Sequence, residues 1–464
     1  MRIILDFQAC QSASRFRGIG RGSRALMLNM AKQLMSQGHE VVCLLNKSFS
    51  ENLKSVEEDI RKNALGVAFA FFSVPSPCLA GVPENGWRQM AARILREHAI
   101  ACLEPDFVHV PALLADGWVD DSVGSIGMIG LHIPTSLTQY DLIPLVMADI
   151  YMLDNSFREY YMEKLKGVKE ADLFLAISEY SRREVIEWLG INPNDVITIS
   201  MAVDEYFKEA KPSKESILST LKKYNIHKNF LLYAPGGFDA RKNLDRLIEA
   251  YSMLSSELRA KHQLVIASKL PEGFAEAVKL KIEKFGLNFS QVVFTDYISD
   301  DELTHLYIST YLYIFPSLHE GFGLPALEAM TCGAPVIASN RTSIPEVIEM
   351  NDAMFDPHNP KSISDKIQEV LECEALRARF KAHAAVQPLK FSWEKSAKIA
   401  VEALEQKYTT LIKNGWKPTP KSELPEKLDL IEKIAFSCLS VNPNQEDLLE
   451  FSRCFEENSK GLLF

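Results

Sequence analysis

The stretch "HEGFGLPALEAMTCGAPVIAS", residues 319–339, sets two acids, Glu320 and Glu328, on either side of a Gly-Phe-Gly-Leu-Pro turn. Just before it, "YIFPS" reads as a buried strand, and "PVIAS" at its end reads as another. Pro325 suits the first turn of a helix between them, because its missing N–H has no partner there in any case. Strand, glycine turn, helix and strand in that order describe one unit of a parallel sheet. The turn then falls at the carboxyl end of a strand, where ligands of such sheets bind. Glu320 lies before the turn and Glu328 within the first helical turns, so both can face one pocket. Carboxylates are good acceptors for the hydroxyls of a sugar or a ribose.

Working outward, the same alternation fills most of the chain. "RIILDF", "HEVVCLLN", "VAFAFFSV", "DFVHVPA", "LFLAIS" and "DVITIS" read as strands of a first unit, residues 1–205. Amphipathic stretches such as "SRALMLNMAKQLMSQG" and "SEYSRREVIEWLG" lie between some of them. "VDEYFKEAKPSKES", charged and broken by Pro212, reads as part of a linker over 206–228. The alternation restarts with "NFLLYAPG", and 229–391 forms a second unit of similar size. The strands are nearly uninterrupted apolar runs, which predicts α/β architecture with two doubly wound parallel sheets. A long amphipathic helix is expected over 392–415. Residues 416–464 read as a helical tail, either packed on this chain or beginning a connector to a further module.

The 464 residues suffice for two full domains. A net charge of −10 argues against a nucleic-acid groove, which needs clustered Lys and Arg. The eight cysteines are scattered without a C-x-x-C pair, so a structural zinc site is not expected, and reduced cysteines fit a cytoplasmic protein. No window is long and apolar enough for a transmembrane helix. Five arginines in the first 24 residues would also suit a peripheral association with an anionic membrane.

Two glycine-bearing stretches stand where a phosphate could be held. "FRGIGRGSRA", 16–25, follows the first strand and opens a helix. Gly18 and Gly20 would let backbone N–H groups approach phosphate oxygens, with Arg15, Arg17, Arg21 and Arg24 adding charge. The dinucleotide fingerprint is not met, since Ser23 stands where its third glycine belongs, and an oxidoreductase is set aside. "APGGFDARKN", 234–243, repeats the design in the second unit, with Arg241 and Lys242 just before a helix as a receptor for a diphosphate.

Taken together, "HEGFGLPALEAMTCGAPVIASNRTSIPEVI", "SRFRGIGR", "QYDLIPL", "LKGVKEADLFLAISEYSRREVIEWLG", "GGFDARKN" and "FSWEKSA" resemble the retaining GT-B glycosyltransferases of the E-x7-E type (family 4). Bacterial lipopolysaccharide and O-antigen mannosyltransferases belong to that group. The resemblance covers most of residues 1–410 and implies a hexose donor linked to a nucleoside diphosphate, with GDP-mannose or a related GDP-deoxyhexose the first expectation. It implies that Glu328 binds the ribose and that Arg241 and Lys242 neutralise the diphosphate. Glu320 and the amides of Phe322, Gly323 and Leu324 would hold the sugar, and Gly18 and Gly20 would close over the diphosphate. Glu320 and Asp141 are the expected catalytic pair. The acceptor would be a glycan or a polyprenyl-linked glycan, with partner glycosyltransferases or further modules reached through the tail. No D-x-D occurs, so a metal-independent reaction without a cofactor is expected. The chain departs from the family at Gly237, where many relatives carry an arginine, and at Tyr140, where many carry a histidine. His109 and His132 are the candidate substitutes for the latter, and with Tyr140 they form the candidate acceptor-side residues. The alternative is a degenerate module that scaffolds partner transferases.

Overall fold

The computed structural model describes residues 1–464 apart from 116, 235–236, 269–272, 438–441 and 462–464. Its contacts divide the chain into two compact units. The first comprises Met1–Ile177, Ser181–Ser200 and Trp393–Phe464, and the second Ser178–Tyr180 and Met201–Ser392.

The first unit is built on seven strands: β1 (Arg2–Asp6), β2 (Glu40–Asn46), β3 (Ala68–Phe72), β4 (Phe107–Val110), β5 (Thr135–Gln139), β6 (Leu173–Ala176) and β7 (Val196–Thr198). They run parallel in the order β3-β2-β1-β4-β5-β6-β7, which reverses direction beside β1. Ile3, Ile4 and Leu5 are fully buried. Each such side chain contributes about 1.5–3 kcal/mol relative to leaving it exposed. The helix Gly18–Ser36 follows β1 and buries Leu26, Met27, Met30 and Leu34 at helical spacing.

β5 has a sequence, "TSLTQ", that does not read as a core strand, yet all five of its residues are buried. Its polarity is matched by one neighbour. His109 of β4 lies in register with Ser136. Its Nδ1 is 2.9 Å from Ser136 Oγ, and its Nε2 is 3.1 Å from Thr138 Oγ1.

The second unit carries β8 (Asn229–Tyr233), β9 (His262–Ile266), β10 (Val292–Phe294), β11 (Leu312–Phe315), β12 (Val336–Ser339) and β13 (Met354–Phe355). Their parallel order is β10-β9-β8-β11-β12-β13. Consecutive strands wind outward from β8, then the chain crosses to β11 on its other side. This places the switch point between β8 and β11.

One segment differs from the sequence expectation, and two others are placed by their contacts. Residues 206–228 are not a bare linker: helices Glu205–Glu209 and Lys214–Lys223 form there, the second capped by Ser213. Thr220 is buried and its hydroxyl lies 2.7 Å from His305 Nδ1, which ties this helix to Asp300–Ser309 of the second unit. The helix Trp393–Lys413 packs on Gly18–Ser36 and so belongs to the first unit. Finally, the tail helices Lys427–Ser437 and Gln445–Ser459 are seated on the helix Gly86–Ala101. Leu430, Ile434, Phe451 and Cys454 are fully buried in the same cluster as Trp87, Ala91 and Leu95.

Candidate active site

The switch point of the second sheet brings together residues 78 and 79 positions apart in the chain. β8 leads into the turn that carries Arg241 and Lys242, and β11 leads into the turn that carries Glu320. Since β8 and β11 are neighbours, the two turns meet. Arg241 Nη1 donates to Glu320 Oε2 at 2.9 Å, and Lys242 Nζ to Glu320 Oε1 at 2.6 Å. Arg241 Nη1 also donates to the His319 carbonyl at 3.1 Å. The Glu320, Arg241 and Lys242 side chains are 9%, 19% and 12% exposed, so three charges are held largely out of water and satisfy one another. Burial pushes the Glu320 carboxyl up, but Lys242 and Arg241 outweigh it and hold the group below the ordinary glutamate range.

Both turns are braced. Asn243 takes the left-handed conformation at φ 62° and its Nδ2 donates to the carbonyls of Pro316 and Pro357. The Leu318 amide donates to the Arg241 carbonyl at 2.7 Å. Thr342 Oγ1 accepts from the Glu320 amide at 3.1 Å, and Ser343 Oγ donates to the carbonyls of Glu320 and Phe322. The sequence alone points to no role for Asn243, Thr342 or Ser343, although "NRTSIP", 340–345, comes just after the strand that follows the Glu328 helix.

Gly323 sits at φ 110°, a conformation that side-chain-bearing residues rarely adopt, and opens the helix Leu324–Thr331. The Phe322 ring is buried and meets Phe391 edge-on at 5.6 Å, so it serves the core of the turn. Glu328 is half-buried on that helix, and Tyr307 donates to its Oε2 at 3.3 Å. Gly237 has φ 66° and open space where a Cβ would stand. Its carbonyl accepts from the Tyr233 hydroxyl at 3.0 Å.

In the first unit, Gly18 and Gly20 are not in a loop but in the opening turn of the helix Gly18–Ser36, which has no side-chain cap. A Cβ on Gly20 would stand 2.3 Å from the Ser14 carbonyl oxygen, so this glycine permits the chain to pack on itself. Arg24 is turned to Asp59, bonding both its carboxylate oxygens at 2.5 Å. Tyr140, just past β5, is fixed to the same helix. Its hydroxyl lies 2.7 Å from Ser23 Oγ and 3.0 Å from the Ile19 carbonyl. Asp141 Oδ1 accepts from the Ile143 amide at 3.2 Å. Glu184 and Ser181 hold the flanking backbone through the Leu142 amide and the Tyr140 carbonyl.

The two histidines stand elsewhere. His109 is fully buried with both ring nitrogens engaged by β5, which corrects its place on the acceptor side. Burial drives its imidazole down to about 3 from 6.5. His132 precedes β5, at the opposite end of the strand from Asp141, and its Nε2 is 2.9 Å from Asp172. It too is corrected as an acceptor-side residue. Unfolding lets His109 take up a proton below pH 6.5, so stability should decline as pH falls from there toward 3. The slope from this one group is about 1.4 kcal/mol per pH unit. Urea titrations of His109→Gln across that range should show a shallower decline.

Residues 20–206 match the family model "Glycosyltransferase Family 4", and residues 219–387 match "Glycosyl transferases group 1". The chain belongs to the group 1/family 4 glycosyltransferases, and its two Rossmann-like units with a helical extension have the GT-B fold. It is 37% identical over 442 residues to the serotype-specific mannosyltransferase WbdA of Escherichia coli, covering 94% of this chain and 51% of that protein. It is 32% identical over 237 residues to the Escherichia coli O-antigen chain mannosyltransferase B, covering 50% of this chain and 61% of that one. The chain thus spans about half the length of the WbdA relatives it matches. Among solved structures, a glycosyltransferase from Rickettsia africae ESF-5 aligns with a TM-score of 0.59 at 19% identity, over 89% of this chain and 99% of that one. Anabaena Alr3699/HepE in complex with UDP aligns with a TM-score of 0.59 at 17% identity, over 87% and 99%. At such identities the likeness carries the fold alone.

Proposed function

We propose that this chain transfers mannose, or a related deoxyhexose, from a GDP-linked donor to a growing surface polysaccharide of the O-antigen type. The reaction retains anomeric configuration and uses no metal ion. The observation that carries the reading is the Arg241–Glu320–Lys242 cluster at the β8/β11 switch point, beside a helix bearing Glu328. The choice of mannose is supported by the similarity to WbdA and to O-antigen chain mannosyltransferase B. The acceptor is a glycan or a polyprenyl-linked glycan.

In the transfer, the bond from the anomeric carbon to the phosphate oxygen breaks and a bond to an acceptor hydroxyl oxygen forms. The acceptor proton leaves with the departing phosphate. Negative charge grows on the nucleoside diphosphate, and Arg241 and Lys242 are the groups that stabilise it. Glu320 holds both cations in place before the donor arrives, so little reorganisation is needed at the moment of reaction. Glu328 takes the ribose hydroxyls, and Asp141 is assigned to the acceptor side.

A thermal-shift panel with GDP, UDP, dTDP and ADP tests the donor class. A nucleotide at 100 times its Kd stabilises the folded state by roughly 2.7 kcal/mol. GDP should give the largest shift, and Glu328→Ala should weaken it. A larger shift with another nucleotide would reassign the donor, and none with any would remove the transferase reading.

A further inference from the structure

The first unit holds a cavity that the donor chemistry does not use. It has a volume of about 260 Å³ and lies at the carboxyl end of β5, beside Asp141 and the helix Asn155–Val168. That is just below the roughly 300–1,000 Å³ of sites for drug-sized ligands, so it suits one ring rather than a chain. One wall is aromatic. Trp118 meets Phe157 edge-on at 5.2 Å and Tyr160 at 5.3 Å, which fixes the indole between two rings. Rigid aromatic faces with polar tips match a pyranose, which has an apolar C–H face and a rim of hydroxyls.

The polar groups of the cavity point the same way. Gln139 and Tyr161, both among its lining residues, are 3% and 2% exposed. The Gln139 Nε2 and the Tyr161 hydroxyl are buried and have no protein hydrogen-bond partner. Folded proteins leave few such groups, and each calls for a reason. Here two of them flank one cavity, next to a carboxylate at the end of a strand.

We propose that this cavity is a subsite for one pyranose ring of the acceptor glycan, with Trp118 and Tyr160 against its apolar face and Gln139 and Tyr161 selecting its hydroxyls. The inference rests on the transferase reading for the word acceptor, but the sugar-binding claim stands or falls by itself. A hydrocarbon chain in the same space would leave Gln139 and Tyr161 as unpaired as they are now, so a lipid tail is the poorer occupant.

Saturation-transfer NMR on the full chain, with methyl α-D-mannopyranoside and separately with cyclohexanol, provides the test. The mannoside ring protons should be saturated in the wild type. The signal should be at least about fivefold weaker in Trp118→Ala and in the near-isosteric Gln139→Leu, a loss on the scale of one hydrogen bond. Cyclohexanol, which keeps a six-membered ring but only one hydroxyl, should give the weaker signal. Circular dichroism melts identify folded variants, and if Trp118→Ala does not fold, Gln139→Leu decides. Absence of transfer in the wild type, an undiminished signal in the variants, or equal saturation of cyclohexanol would each overturn the proposal. The nucleotide panel on wild type separates the two readings: mannoside binding without any nucleotide shift would remove the transferase and keep the sugar site.

Discussion

Replacing Glu320 by alanine is expected to lower transfer by about 10²–10³, the usual range when one preorganised electrostatic group is lost from an active site. The same change should destabilise the fold. It removes the shared partner of Arg241 and Lys242, which are only 19% and 12% exposed. Breaking a buried ion pair from one side costs about 3–5 kcal/mol, because a charge is left uncompensated. The two effects can be separated. In Glu320→Ala/Lys242→Met the charge imbalance is reduced, so stability should partly return while transfer stays low. Completed with Lys242→Met alone, the cycle reports the coupling between Glu320 and Lys242. Glu320→Gln keeps the shape and an acceptor oxygen but not the charge, and should fall between wild type and alanine in stability.

pH supplies an independent check on the same group. The carboxyl of Glu320 is held below the ordinary value in the folded state, with Lys242 and Arg241 overcoming the opposing effect of burial. Its stabilisation is therefore fully present above the unfolded value of about 4.3 and is lost as pH falls through the lower folded value. Glu320→Gln should lack this acid limb. Near-full transfer by Glu320→Ala would sink the assignment.

How much of this could be read from the chain depends on which physical signal each part carries. The buried strands of both units announce themselves as apolar runs, and Gly323 and Pro325 mark the turn before the Glu328 helix. β5 does not, because Ser136 and Thr138 are buried through hydrogen bonds to His109 rather than through apolarity. The same fact explains His109. A histidine looks like a candidate acid or base until the strand that absorbs both its nitrogens is found. Arg241, Lys242 and Glu320 were legible one by one as phosphate and sugar ligands. Their union in one cluster was not, because it follows from β8 lying beside β11, a matter of sheet order that no local pattern encodes. Residues 206–228 misled in the opposite direction. Pro212 and the surrounding charges suggest a linker, while Ser213 and the apolar positions after it build a helix that Thr220 ties to the second unit.

The tail gives the largest expected effect on folding. Phe451 and Ile434 are fully buried, and the Phe451 ring meets Trp87 edge-on at 6.1 Å. Arg88 Nε bonds Asp447 Oδ1 at 2.5 Å, and Asn458 exchanges two hydrogen bonds with the backbone of Ser73 just past β3. Phe451→Ala should cost about 3–5 kcal/mol, the range for emptying a buried aromatic position. Ending the chain after Gly415 removes both tail helices and uncovers Trp87, Ala91 and Leu95 together. Set against a total stability of about 5–15 kcal/mol, that loss is enough to unfold the first unit, so the truncated chain should be insoluble or melt without cooperativity. A truncated chain that melts at the wild-type temperature would mean the two helices are an appendage. If they behave as the structure indicates, the boundary of the first unit lies beyond the helix Gln445–Ser459. Any separation of this region from a longer relative then has to be made after that helix, not at the proline-rich stretch that follows Trp416.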